Sequence, residues 1–195
     1  MTRTFWVILT LIVVAVGGFA SMLSFGGGST RIPWHPKAPT VVPVAVRQGV
    51  LAVPVAGVRR DQIADSWNDA RGGGTRGHHG TDIMASAGAS VVAAAPGRIE
   101  KLFQSNLGGT TLYVRSVDGG WTYYYAHLAG YAPGVHEGQV VKAGDPLGFV
   151  GDTGDAGAGN YHLHFGITRM APGQRWWEGE NVNPYPLLAG KGAGG

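Results

Sequence analysis

His78-x-x-x-Asp82, Tyr125-Ala126-His127-Leu128 and His162-Leu163-His164 place four histidines and one aspartate at three points along the chain. Those residue types suit one hydrolytic zinc centre. Such a centre needs three protein ligands and an open position at which water is activated. Two histidines are then left beside the metal, for proton transfer or for stabilising developing charge. Cysteine is absent. Its absence excludes disulfides, thiol catalysis and Cys-ligated zinc, and leaves His, carboxylate and water as the ligands.

Histidine spacing gains meaning from the elements that carry it. From Leu51 onward, short Val/Ala/Tyr/Ile-rich runs alternate with turn residues. The strands expected are Ser90–Ala94, Arg98–Gln104, Thr110–Val117, Trp121–Leu128, Gln139–Lys142, Leu147–Val150 and Tyr161–Thr168. Asp118-Gly119-Gly120 between two of them signals a hairpin. Only Arg59–Asn68 offers a helical turn or two. The fold class expected is mostly β, a compact antiparallel sheet domain with many loops and no internal repeat. On a strand, residues two apart share a face about 7 Å apart. His162 and His164 therefore point the same way, with Leu163 and Phe165 facing the core. The same parity puts Trp121, Tyr123, Tyr125 and His127 on one face of their strand. His78 and Asp82 are also an even number of residues apart, and Gly80 between them permits a close backbone approach. Gly77, Gly80 and Thr81 make a helix poor there.

Other features carry less. The segment Gly151–Gly159 lacks the Lys-Ser/Thr of a phosphate loop and misplaces Asp152 and Asp155 for an EF-hand. It reads as a flexible loop entering the next strand. Asn68 and Asp69 read as turn residues, and His35, His79 and His136 as solvated or hydrogen-bonded surface histidines.

The 195 residues, 44% hydrophobic, are enough for one domain with a real core, and 34 glycines imply many turns. A net charge of +3 suits an anionic surface such as a wall polymer. No dense Lys/Arg block points to nucleic acid, and no nucleic-acid partner is expected. Phe5 to Ser24 forms about 20 uncharged residues, the length of a bilayer core, behind Arg3. Residues 1–24 are therefore expected to be a single-pass N-terminal transmembrane helix, a signal anchor that leaves the rest in the periplasm or outside the cytoplasm. The alternative is a cleaved signal peptide, with Gly18-Phe19-Ala20 as the cleavage site and a secreted product. Residues 25–49 read as a Pro/Gly-rich linker, with a possible edge strand at Val41–Val46. Residues 50–190 form the domain, and 191–195 a flexible glycine-rich tail.

The motifs together resemble the lysostaphin/LytM-type zinc metallopeptidases, family M23. The resemblance lies in Arg71-Gly-Gly-Gly-Thr-Arg-Gly-His78-His-Gly80-Thr-Asp82, the following Ala-Gly-Ala-Ser-Val-Val-Ala-Ala-Ala-Pro-Gly97 and Tyr-Ala-His127-Leu. It continues in Glu137-Gly-Gln-Val-Val-Lys-Ala-Gly144, His162-Leu-His164-Phe and Asn183-Pro-Tyr185, and spans roughly residues 51–188. It implies a duplicated-hybrid-motif-like β domain holding one zinc ion on His78, Asp82 and His164. His127 and His162 become the catalytic histidines, and the substrate becomes the peptide cross-links or bridges of peptidoglycan. Which of the two is general base stays open. Gly166 stands where many relatives carry Glu, beside the site, and Tyr161 where Pro is common. Two other readings compete. One is a non-catalytic relative that regulates or binds wall hydrolases, with an unknown partner. The other is a biotinyl- or lipoyl-type carrier domain suggested by Val135–Gly148, though no lysine is displayed on a tight turn there.

Overall fold

Alternating apolar residues and glycine-rich turns produce strands almost wherever the pattern demands them. The computed structural model describes residues 51–191. The expected spanning segment 1–24, the linker 25–49 with His35 and Val41–Val46, and residues 192–195 lie outside them. Among the described residues no helix is long and apolar enough to cross a membrane.

The strands are β1 (Ala70–Arg71), β2 (Arg76–Gly77), β3 (Thr81–Met84), β4 (Ser90–Val92), β5 (Gly97–Ser105), β6 (Gly109–Ser116), β7 (Trp121–Tyr131), β8 (Val140–Val141), β9 (Pro146–Val150), β10 (His162–Arg169) and β11 (Glu180–Val182). A single turn of 3-10 helix, Arg60–Gln62, precedes them, and a short helix α1 (Tyr185–Leu188) follows. All seven runs expected as strands form, with shifted ends. The expected helical stretch at Arg59–Asn68 shrinks to that one turn, and β1, β2, β3, β11 and α1 are additions. The four added strands are only two to four residues long, too short for alternation alone to mark them.

β1 and β2 make a small hairpin by themselves, and the other nine strands form one antiparallel sheet. Its main path runs β11-β10-β7-β6-β5-β8. The expected hairpin joins β6 to β7, with Gly119 at φ 74°, a conformation that costs residues with a Cβ. β10 is the hub. One edge pairs with β7, while the other is shared end to end by β3, opposite residues 162–165, and β11, opposite 167–169. β7 is shared in a similar way. It pairs with β10 as far as Ala126, and from Leu128 onward it pairs with β9.

One face of the sheet is apolar and closed. Ile83, Val91, Ile99, Leu112, Leu128, Leu147, Leu163 and Phe165 are all buried there. Tyr125 is buried among them with its ring 5.3 Å from that of Phe165. Its hydroxyl accepts a hydrogen bond from the Ala94 amide at 2.9 Å, so burial strands no polar atom. Leu163 and Phe165 face the core as the alternation requires, which turns His162 and His164 to the other side.

The parity expected for β7 fails at its end. Tyr125 belongs to the core, while Tyr124, Ala126 and His127 face the cleft on the opposite side. The cause is a bulge where β7 changes partners: the register with β6 slips between Thr110 and Leu112, and that with β9 between Leu128 and Gly130. His127 absorbs the slip with a left-handed backbone, φ 59°. Such a conformation is unusual for a residue other than glycine and persists only when its surroundings enforce it.

Phe165→Ala removes a fully buried ring from the layer directly beneath His164. It is expected to lower stability by about 3–5 kcal/mol, measured by denaturant unfolding of the full chain.

Candidate metal centre

Antiparallel pairing sets the centre. Asp82 on β3 lies directly opposite His164 on β10. His78 approaches from the segment before β3, held by backbone hydrogen bonds from its amide to the Asp69 carbonyl and from the Asn68 amide to its own carbonyl, both 2.9 Å. Asn68 adopts φ 65°, so Asn68 and Asp69 act through the backbone as turn residues. Gly80 is what lets the two segments close. A Cβ there would lie 2.6 Å from the His164 ring and 2.8 Å from the Phe165 carbonyl oxygen.

Three donor atoms converge. His78 Nε2 and His164 Nδ1 are 2.8 Å apart, and they lie 2.9 and 3.2 Å from Asp82 Oδ1. Tetrahedral zinc with bonds of about 2.0–2.1 Å separates its ligand atoms by roughly 3.3 Å. The triangle therefore needs only a slight spreading to hold such an ion, and its N2O donor set suits zinc. Among the described residues these three form the group of His, Asp and Glu side chains placed to hold a metal.

Protonation states agree with that use. Burial works against the Asp82 carboxylate, but the contacts with His164 and His78 outweigh it and hold the carboxyl far below its usual range. Burial lowers the pKa of His164 despite Asp82, favouring the neutral ring that a metal ligand must be. The second carboxylate oxygen, Oδ2, is paired with the Arg71 guanidinium from the β1–β2 hairpin.

The remaining two motif histidines stand beside the triangle. His127 and His162 have ring centroids 4.8 Å apart, and His162 Nε2 is 3.8 Å from Asp82 Oδ1. One device orients three of the four rings. A carbonyl oxygen can only accept, so Nδ1–H must donate: His78 to Ser66 at 2.6 Å, His127 to Thr153 at 2.8 Å, and His162 to Asn160 at 2.8 Å. Nε2 is left as the working nitrogen in each. Burial also lowers the His127 pKa against the pull of the Thr153 carbonyl, so this ring is neutral near pH 7.

The five residues open onto a cleft of about 510 Å3. Arg71 and Arg76 come from one wall, Leu107 and Gly108 from another, and Asp155 and Asn160 from the glycine-rich segment. Arg76 and Asp155 meet across it at 3.1 Å. The segment read as a flexible loop thus has a structural task. The Thr153 hydroxyl donates to the Leu128 carbonyl and accepts from the Thr110 amide, fixing the carbonyl that holds His127. His79 lines the cleft without joining the triangle, and exposed His136 donates to the Glu137 carbonyl. Gly166 lies beside the site: a Cβ there would sit 3.5 Å from Tyr124 and the His79 carbonyl. The pairing of Arg71 with Asp82 and the contributions of Tyr124, Ser66, Thr153 and Asn160 were not read from the side-chain motifs. The last three hold histidines through main-chain oxygens, which leave no signature of residue type.

Gly80→Ala is expected to push the His164 ring out of the triangle. Zinc affinity, measured by competition with a chromogenic chelator, should fall at least about tenfold while the far-ultraviolet dichroism keeps its β form.

Known proteins resemble this chain in sequence and in fold. The model of peptidase family M23 matches residues 76–184, more than half of the chain. An L-Ala–D-Glu endopeptidase of Bacillus subtilis is 36% identical over 129 residues, covering 63% of this chain and 38% of that protein. Lysostaphin of Staphylococcus simulans is 34% identical over 118 residues, covering 60% of this chain and 22% of that protein. The chain therefore spans well under half the length of these curated relatives. Among solved structures, the catalytic domain of lysostaphin from Staphylococcus simulans superposes with a TM-score of 0.53 at 28% identity, over 65% of this chain and 90% of that domain. The mostly antiparallel β domain is thus of the lysostaphin type, and the chain belongs to peptidase family M23.

Proposed function

We propose that this protein is a zinc-dependent endopeptidase that hydrolyses peptide bonds in the cross-links or bridges of peptidoglycan. One observation carries the reading: a three-donor triangle lies against two carbonyl-anchored imidazoles in an open cleft. The names of the two relatives support the substrate class. His78, Asp82 and His164 are the proposed ligands of a single zinc ion, which when bound would polarise a carbonyl and lower the pKa of water towards about 7.

The chain's own groups supply the rest. A neutral His127 or His162 accepts a proton from the attacking water at Nε2, and its Nδ1–H bond to a fixed carbonyl steadies the imidazolium that forms. With Nδ1–H already given to a carbonyl, the other ring donates from Nε2 to the oxyanion developing on the scissile carbonyl only as the imidazolium. The proton then passes to the leaving amine. Arg71 keeps Asp82 aimed, since its pairing with Oδ2 leaves Oδ1 to the two histidines. For localisation, residues 1–24 are proposed to anchor the chain in the membrane, with 25–49 setting how far the domain reaches into the wall.

Two measurements test this. The full chain is incubated with purified peptidoglycan, with and without a chelator, and released peptides are identified by mass spectrometry. Chelator-sensitive appearance of new peptide termini is expected, and none from a folded, zinc-loaded protein would remove the enzyme. In parallel, His164→Ala should lose zinc, whereas His127→Ala should keep it and lose about 10²–10⁴-fold in turnover. Equal zinc loss in the two variants would undo the division of roles.

A further inference from the structure

The cleft does not end at the metal triangle. Tyr124, which lines it, places its ring 5.7 Å from His164. Tyr113, its direct partner across the β6–β7 ladder, lies 4.6 Å further on. Trp176 stands 4.6 Å from Tyr113 and 5.2 Å from Phe103, and Trp177 meets Trp176 at 5.0 Å. A line of aromatic rings thus leads out of the cleft to a surface where Phe103 is 39% and Trp177 53% exposed. Contiguous exposed aromatic surface of this kind marks an interaction site.

The two tryptophans are carried by the β10–β11 connection, and that connection is clamped. Arg115 pairs with Glu100 through two bonds of 2.7 and 2.9 Å and donates to the Gln174 carbonyl at 3.1 Å. Gln174 in turn accepts from the Ala171 amide at 2.7 Å. Arg175 lies 4.3 Å over the Trp177 ring and is itself held by Glu178. Rings fixed in advance lose little entropy when a ligand arrives.

We propose that Phe103, Trp176 and Trp177 form a subsite for the sugar rings of a glycan strand. The inference rests on the peptidoglycan reading and concerns the part of that polymer which the triangle does not touch. A pyranose presents a flat face of C–H groups to an aromatic ring and keeps its hydroxyl and acetamido groups at the rim, and the Arg175 guanidinium over one face of Trp177 sets a donor beside that ring. The spacing also fits. Three ring-to-ring steps, none longer than 5.7 Å, connect His164 to Trp176, a span that about four extended residues cover. A bond within a stem peptide lies that few residues from the sugar bearing the stem. With the glycan on the aromatic surface, the peptide crosses Tyr113 and Tyr124 towards the triangle.

The test uses glycan strands stripped of peptide by an amidase, titrated calorimetrically into the full chain. Saturable binding is expected for the wild type and for a control, Val140→Ala, on the exposed edge strand β8. Trp177→Ala should bind at least tenfold more weakly. In parallel, kcat/KM is compared for muropeptides with and without their disaccharide. The wild type should favour the disaccharide form, and Trp177→Ala should bring the ratio close to one. Glycan binding equal in Trp177→Ala and wild type, or absent from a wild type that cleaves sugar-free peptides, overturns the subsite. Glycan binding that depends on Trp177 in a protein that cleaves no peptide keeps the subsite and removes the hydrolase instead.

Discussion

Asp82 faces His164 across the β3–β10 ladder, and the register of that one pairing governs the site. A slip by one residue would turn both side chains into the core and bring Ile83 and Leu163 or Phe165 to the cleft. The apolar layer prevents it. Leu163, Phe165 and Ile83 are buried against Tyr125, so the same contacts that stabilise the sheet choose which residues face outward. The ionised carboxylate is then satisfied on both sides, by two imidazoles on Oδ1 and by Arg71 on Oδ2. Core packing and metal-site geometry are in this sense one constraint, met at one strand pair.

The histidine on β7 meets a different constraint. It reaches the cleft only because the strand changes neighbours there, from β10 to β9. The backbone of His127 bears the local cost in its left-handed φ, and the Thr153 bonds enforce it. A polar residue in an unfavourable conformation, held by a loop that bonds to both sides of the bulge, is where a structure concentrates functional strain.

Much of this was legible in the sequence. The long strands could be read because five or more residues alternate visibly, and the His-Leu-His parity followed from the two-residue period of a strand. His78 lies outside β3, and its even spacing from Asp82 is not a strand parity. The parity argument failed at His127 because a bulge is a property of three strands meeting, and no single strand's pattern records it. The orienting carbonyls of Ser66, Thr153 and Asn160 were invisible for another reason: any residue type offers the same main-chain oxygen. Arg71 and Arg76 were in view within a recognisable motif. Their reach into the cleft depends on the three-glycine turn between them, which folds β1 onto β2.

The exchange of neighbours at His127 has an evolutionary consequence. The triangle belongs to β3, β10 and the segment before them, whereas His127, one of the two rings proposed to move the proton, is held by Thr153 in the loop after β9. On the proposed reading, the ion's ligands and the β7 histidine are thus encoded in stretches of chain that need not change together. The Thr153 bonds that seat His127 touch none of the three donors of the triangle. In such an architecture the loss of one proton-moving ring and the loss of the ion's seat are separate events.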